Sequence, residues 1–250
     1  MINISLHPES IGTIGSVNIT NSFLTSLIVS YLIVFFLIGF SIAETKQNFF
    51  TSTVYFVFKK YIALLDQFTQ NRRLTLIFFP LVTTFFLFIL TSNLIELLPG
   101  FSGALYHMGS GERVPLLRSP SSDLSTTVAL AIISVIATQY YSYKALGLSG
   151  FFKRFINVRG PVELVLGLFD LLSELVKVIS FSFRLFGNLF AGEVILLVSA
   201  VFAPLFIPLP FMVLELFVGI IQAFIFALLT LTFILIARND EKVAVSKEVG

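Results

Sequence analysis

Between Asp170 and Glu193 the chain reads DLLSELVKVISFSFRLFGNLFAGE, a stretch apolar enough for lipid that still carries Asp170, Glu174, Lys177, Arg184 and Glu193. Placing Arg, Lys or Asp at the centre of a membrane helix costs roughly 2.5 to 3.5 kcal/mol on insertion scales, so such groups face a bundle interior or a water-filled cavity. Their chemistry there is ion transfer: carboxylates take up and release protons or cations, while a guanidinium stays charged throughout. At about 100° per residue, Asp170, Glu174, Lys177, Phe181, Arg184 and Asn188 fall on one stripe, and Glu193 points to roughly the opposite side. Later in the chain Glu215 and Gln222 share a face, being about two turns apart. Earlier, Asn93 and Glu96 share a face near the end of an apolar run.

The elements that must position these groups are membrane helices. The 250 residues are 56% hydrophobic and 12% charged, with 30 Phe and a mean hydropathy of +0.96; soluble domains average about 45 to 50% apolar and about 25% charged. The expected fold is all-α and polytopic, one integral membrane domain over 1–250. Spans are expected at 22–43, 74–98, 124–143, 161–200 and 211–237, with an outer segment at 1–21 and an inner tail at 238–250. Residues 45–73 read as an interfacial helix, because Lys59 and Lys60 interrupt a short apolar core; a further buried crossing is the alternative. Ser121, Ser122 and Asp123 are cap candidates for one span, and Pro161 with Glu163 suits the start of the next. Lys and Arg are absent before Ser22 and concentrate in 44–73, 143–160 and after Ala237. The positive-inside rule then puts the amino terminus outside and the carboxyl terminus in the cytoplasm, as in a bacterial inner membrane.

The last two spans make a hairpin. The 161–200 helix would extend about 60 Å against a hydrocarbon core of about 30 Å, so it must tilt steeply. Ala203-Pro204 to Pro210 breaks the pattern, and the partner helix runs back antiparallel. Glu193 facing Glu215, and Arg184 facing Gln222, both require a turn near Ala203-Pro204, where that break lies. The two cross-pairs are roughly 12 Å apart along the axis. Glu96, Glu193 and Glu215 lie toward the outer ends of their helices, and Asp170, Glu174 and Lys177 toward the inner end of theirs. Two polar pockets result, with Arg184 between them.

Other chemistries lack their groups. There is no Cys, and His7 and His107 have no partner at ligand spacing, so no metal site is expected. No phosphate loop, nucleophile elbow or His-Glu metalloprotease motif occurs, and no cofactor is implied. The basic residues are dispersed among connections, which excludes a nucleic-acid surface.

RLFGNLFAGE from Arg184 to Glu193, IELLPG from Ile95 to Gly100, RSPSSD from Arg118 to Asp123 and GIIQAFIFALLT from Gly219 to Thr230 together resemble subunit a of the F-type ATP synthase, the stator of an ion-driven rotary motor. The resemblance covers most of the chain beyond its first helix. It implies as partners a ring of small helical hairpin subunits (the c-ring), a peripheral stalk of subunit b type, the remaining ATP synthase subunits and membrane lipid. Arg184 is then the essential cation facing the rotor carboxylates. Glu193, Glu215, Glu96, Asn188 and Gln222 line an outer proton half-channel, and Asp170, Glu174 and Lys177 an inner one. No nucleotide site is expected in this chain. The family often faces an acid with a His where this chain has Glu193 and Glu215, which removes an imidazole relay and leaves proton or sodium choice to ring residues. Blander readings stand beside these: Asn188 and Gln222 as helix-to-helix bonds, Asp170, Glu174 and Lys177 as surface ion pairs, and Gly187, Gly192 and Gly219 as sites of close helix approach. A stand-alone secondary transporter or ion channel is the alternative function; it would need internal repeats or helices broken at the midplane, and neither is evident.

Overall fold

The computed structural model describes residues 10–14, 17–43, 48–98, 105–107, 113–115, 117–155, 160–202 and 206–248. Six helices carry the architecture: α1 (Asn21–Ala43), α2 (Phe49–Thr69), α3 (Arg72–Glu96), α4 (Leu124–Phe155), α5 (Pro161–Phe202) and α6 (Pro208–Glu248). All but α2 are long and apolar enough to cross a membrane. The expected all-α membrane fold is therefore what forms, with two small additions the pattern did not signal. One is an antiparallel hairpin of β1 (Ser10–Ile14) and β2 (Val17–Thr20); the other pairs β3 (Leu105–His107) with β4 (Arg113–Pro115) in the α3–α4 connection. His7, Pro99-Gly100 and the expected break at Ala203-Pro204 lie outside the described residues.

Boundaries differ from expectation where local chemistry is stronger than hydropathy. The 45–73 segment does not reach Arg73, because Gln70 adopts a left-handed conformation (φ 52°) and sends its N–H to the Asp66 carbonyl at 2.9 Å. Asn71 then caps α3 by accepting from the Arg73 N–H at 3.0 Å. Hydrogen bonding from Thr75, with Arg72 at 2.6 Å, holds the Asp66 carboxyl below the usual carboxylate range and braces this elbow. Helix α4 runs past Tyr143 to Phe155, because Lys144, Ala145 and Leu146 are good helix formers; it kinks only at Gly147, whose φ of 69° suits glycine. Helix α6 begins at Pro208, since prolines in a first turn lack only N–H groups that have no partner in the helix. At its other end the helix continues to Glu248 instead of releasing a tail at Ala237.

Helices α3, α4, α5 and α6 share the core. Phe85 and Ile89 of α3, Ala131 of α4, Phe181, Leu185 and Leu189 of α5, and Ala223 and Phe226 of α6 form one buried cluster. Tyr61 and Leu65 lay α2 over α3 and α6 in a second cluster, with Tyr61 stacked on Phe86 at 5.1 Å. Polar bonds tie the helices where water is excluded: Ser134 with Thr230 at 2.8 Å, and Asn93 Nδ2 donating to the Gly219 carbonyl at 3.0 Å. Gly219 is needed for that approach, because a Cβ there would sit 3.1 Å from the Asn93 Cβ.

Candidate functional site

At the Glu96 end of the bundle, acids from three helices gather. Glu193 of α5 is partly buried and its Oε2 accepts from Arg118 Nη2 at 3.4 Å. Glu215 of α6 is buried, and neither carboxylate oxygen has a hydrogen-bond partner among the described residues. It lies hard against α5, since a Cβ on Gly192 would stand 2.5 Å from Glu215 Oε1. Gly192 thus serves close approach as expected. The Glu96 Oε2 is likewise buried and unpartnered, and the charges of Glu96, Glu193 and Glu215 are near enough to interact. Glu215, Asn188 and Gly192 line a cavity of about 160 Å³, bounded otherwise by apolar side chains of both helices. A water occupies about 30 Å³ of liquid, so several fit beside the carboxylate. Buried polar atoms are seldom left unsatisfied, and this acid, without a partner among the described residues, borders open space.

Hairpin register matches the expected turn. Gly192 meets Glu215, and Phe181 packs on Phe226 with ring centroids 4.9 Å apart. Gln222, however, accepts from Asn188 at 3.2 Å, not from Arg184. Asn188 is one turn nearer the loop and itself lines the cavity.

At the opposite end, Asp170, Glu174 and Lys177 do come together, joined by an arginine outside the expected set. Arg154 Nε lies 3.6 Å from Asp170 Oδ2 and its Nη2 3.6 Å from Glu174 Oε1, while Lys177 Nζ is 2.8 Å from the same Glu174 oxygen. Lys177 also sits 4.7 Å above the Phe233 ring of α6. This is an ion-paired cluster, as the blander reading had it, though set against α4 and α6 and not on an isolated helix surface. The kink at Gly147 makes it possible by turning the last residues of α4 toward α5. There Gly167 meets the backbone carbonyl of Phe155, with the Arg154 carbonyl 3.2 Å from where a Cβ would be. Backbone cannot yield as a side chain does. Gly167→Ala should therefore destabilise the purified protein by about 1 to 3 kcal/mol and displace Arg154. Gly187→Ala, with nothing within 4 Å of its Cβ position, should be neutral or slightly stabilising. Thermal melting of the two variants side by side checks both, and equal melting points would contradict the packing. The expectation of close approach at Gly187 is not met within this chain.

Arg184 lies between the clusters, about 10 Å along the axis from Lys177 and about 14 Å from Glu193. Its side chain is exposed, and Nη2 reaches the Ser180 Oγ at 3.3 Å. Among the described residues it forms no ion pair. The expected single stripe is thus split: Phe181 and Glu174 turn into the protein, while Arg184 and Asn188 turn outward. Ser173, Ser180 and Ala191 are exposed on the face that Arg184 shares, with Gly187 beside it.

Arg118 and Arg154 escaped sequence reasoning. Their signals were weak: Arg118 opens the Pro- and Ser-rich string RSPSSD, and Arg154 is one of several basic residues between Tyr143 and Gly160. Among the described residues no group of three His, Cys, Asp or Glu side chains could hold a metal ion.

Comparison with known proteins adds an independent line. The family described as ATP synthase A chain matches residues 22–235. An ATP synthase subunit a from Moorella thermoacetica is 32% identical over 235 residues, 92% of this chain and 95% of the relative. One from Citrifermentans bemidjiense is 30% identical over 238 residues, covering 92% and 90%. A sodium ion specific ATP synthase subunit a from Propionigenium modestum is 36% identical over 196 residues, covering 77% of this chain and 63% of the relative.

Proposed function

The chain belongs to the ATP synthase A chain family, and on that premise we propose that it is the proton-conducting stator, carrying two aqueous half-channels separated by Arg184. It is a multi-pass membrane subunit of the ATP synthase complex. The observation that carries the finer reading is Arg184 itself: an intramembrane guanidinium, exposed, without an acidic partner among the described residues, on a face where Ser173, Ser180, Gly187 and Ala191 are all small. A cation in that setting needs an anion from elsewhere, and small residues let another helix approach closely. The rotor carboxylates of a c-ring are that anion.

Glu193, Glu215, Glu96, Asn188 and Gln222 form the outer half-channel, which opens on the side of the amino terminus. Asp170, Glu174 and Lys177, with Arg154, form the inner one on the cytoplasmic side of a bacterial inner membrane. A proton enters by the outer acids, neutralises a rotor carboxylate, travels with the ring through lipid and leaves by the inner cluster. Arg184 favours the ionised carboxylate in front of it, so discharge precedes reloading, and no continuous water path crosses the bilayer. Each charge crossing 100 mV releases about 2.3 kcal/mol, which becomes torque. A peripheral stalk of subunit b type and lipid cover the remaining apolar faces, such as Tyr31 and Phe35 of α1.

Gly187→Leu tests the rotor face. Nothing lies within 4 Å of the Gly187 Cβ position, so the chain should fold and assemble, while the passing ring meets an added side chain. ATP-driven pumping should fall about tenfold or more as close approach is lost. Native pumping rates would place the ring elsewhere.

A further inference from the structure

We infer that Arg118 is a positioning residue of the outer pocket: it holds Glu193 as a fixed anion and leaves Glu215 as the group that exchanges the proton. This rests on the half-channel reading and gives its acids separate tasks. Arg118 lies in the connection ahead of α4, and its side chain is buried. Its backbone N–H donates to Thr25 Oγ1 of α1 at 3.3 Å, its Nε to Ser122 Oγ at 3.3 Å and its Nη2 to Glu193 Oε2 of α5 at 3.4 Å. The segment is clamped again at Asp123, which accepts from Ser22 Oγ at 2.9 Å and from the Ser125 N–H at 3.0 Å. The guanidinium is therefore set in place by its surroundings, unlike a long surface side chain that chooses its own partner.

Among the described residues, the charged groups that meet at this pocket are Glu96 from α3, Glu193 from α5, Glu215 from α6, and Arg118 from the connection, with Asp123 further along the same string. Asp123 is engaged by Ser22, Ser125 and Thr126. Among the described residues one cation stands beside three glutamates; its charge reaches Glu96, but its ion pair, at 3.4 Å, is with Glu193. A carboxylate beside a fixed cation loses that attraction when it accepts a proton, so it holds a proton less readily than an unpaired acid. Glu215 has no bond to a described residue and borders the cavity, so it can gain and lose a proton without breaking a pair. Arg118 thus selects the exchanging acid and keeps three like charges from sharing one pocket unbalanced.

The test uses the reconstituted whole complex, measuring ATP-driven proton pumping and the amount of this subunit present. Arg118→Gln should lower pumping about tenfold or more, since an opposite charge changes carboxyl proton affinity by about tenfold per unit of pKa. Arg118→Lys should retain most of it, and Arg118→Gln combined with Glu193→Gln should pump at least about threefold better than Arg118→Gln alone, because cation and anion leave together. A double variant no better than Arg118→Gln, or native pumping by Arg118→Gln, overturns the inference. Should Arg118→Gln fail to assemble, Glu193→Gln decides alone: its pumping should exceed that of Glu215→Gln by about tenfold, and equal loss in both would contradict the division of tasks. Pumping that survives Glu215→Gln and Arg184→Ala alike would instead remove the half-channel reading beneath it.

Discussion

Glu215→Gln should cut ATP-driven proton pumping by about a hundredfold or more while the complex still assembles, the scale on which a positioned acid–base group contributes. Glutamine keeps the shape of the side chain and fills the same place against Gly192, so packing between α5 and α6 should be retained. What is lost is proton exchange at this carboxyl. Among the described residues the carboxyl has no hydrogen-bond partner, and it borders a cavity of about 160 Å³, an arrangement that costs stability unless water completes it. An amide there can bind the same waters but cannot release and regain a proton. Glu215→Asp should fall between, because the acid is kept but withdrawn from the cavity by about one methylene, roughly 1.5 Å. Proton pumping measured together with ATP hydrolysis in the same vesicles checks the series. Pumping by Glu215→Gln within about threefold of the parent would exclude Glu215 from the path.

Much of this site is legible before any coordinates because membrane helices impose few choices. A helix of 42 residues, against a bilayer that needs about 20, declares its own tilt, and Pro208 and Pro210 announce where its partner begins. Once the turn is placed, the helical rise sets which residues lie opposite one another. That count sets Glu193 opposite Glu215, and the structure packs the neighbouring Gly192 against Glu215. Angular position is coarser. Phe181 and Arg184 are 60° apart on an ideal wheel, yet Phe181 is buried against Phe226 while Arg184 is exposed. Only the neighbour's location tells them apart.

Arg118 and Arg154 were illegible for a different reason. Each comes from outside the hairpin, carried in by a piece of chain whose path is tertiary. Arg118 depends on the bond from Ser22 to Asp123, which joins residues 101 apart in sequence, from the start of α1 to beyond α3. Arg154 depends on the glycine at 147 turning the end of α4, and on the glycine at 167 clearing space for it. Hydropathy reads such segments as connections. The beta hairpins lie in similar segments, where short strands leave almost no periodic signal.

Arg184 carries the largest expected effect. Arg184→Ala should abolish proton-driven ATP synthesis, because the partner of the ionised rotor carboxylate and the seal between the two pockets disappear together. Passive proton leak should persist or rise, as a protonated rotor carboxyl can then pass without discharge. Arg184→Lys keeps the charge but loses the planar fork and presents a mobile, more strongly hydrated ammonium, so coupling should still be impaired. Moving the cation across the hairpin, with Gln at 184 and Arg at 222, should restore part of the function. Gln222 bonds Asn188 one turn from Arg184, so the relocated guanidinium stays at the same level of the interface. ATP synthesis in vesicles reconstituted with the whole complex, driven by an imposed proton gradient, decides the matter. No synthesis above background by Arg184→Ala, with leak undiminished, is the result expected of a seal between half-channels; coupled synthesis at the parental rate would contradict it, since no other cation among the described residues stands between the two clusters.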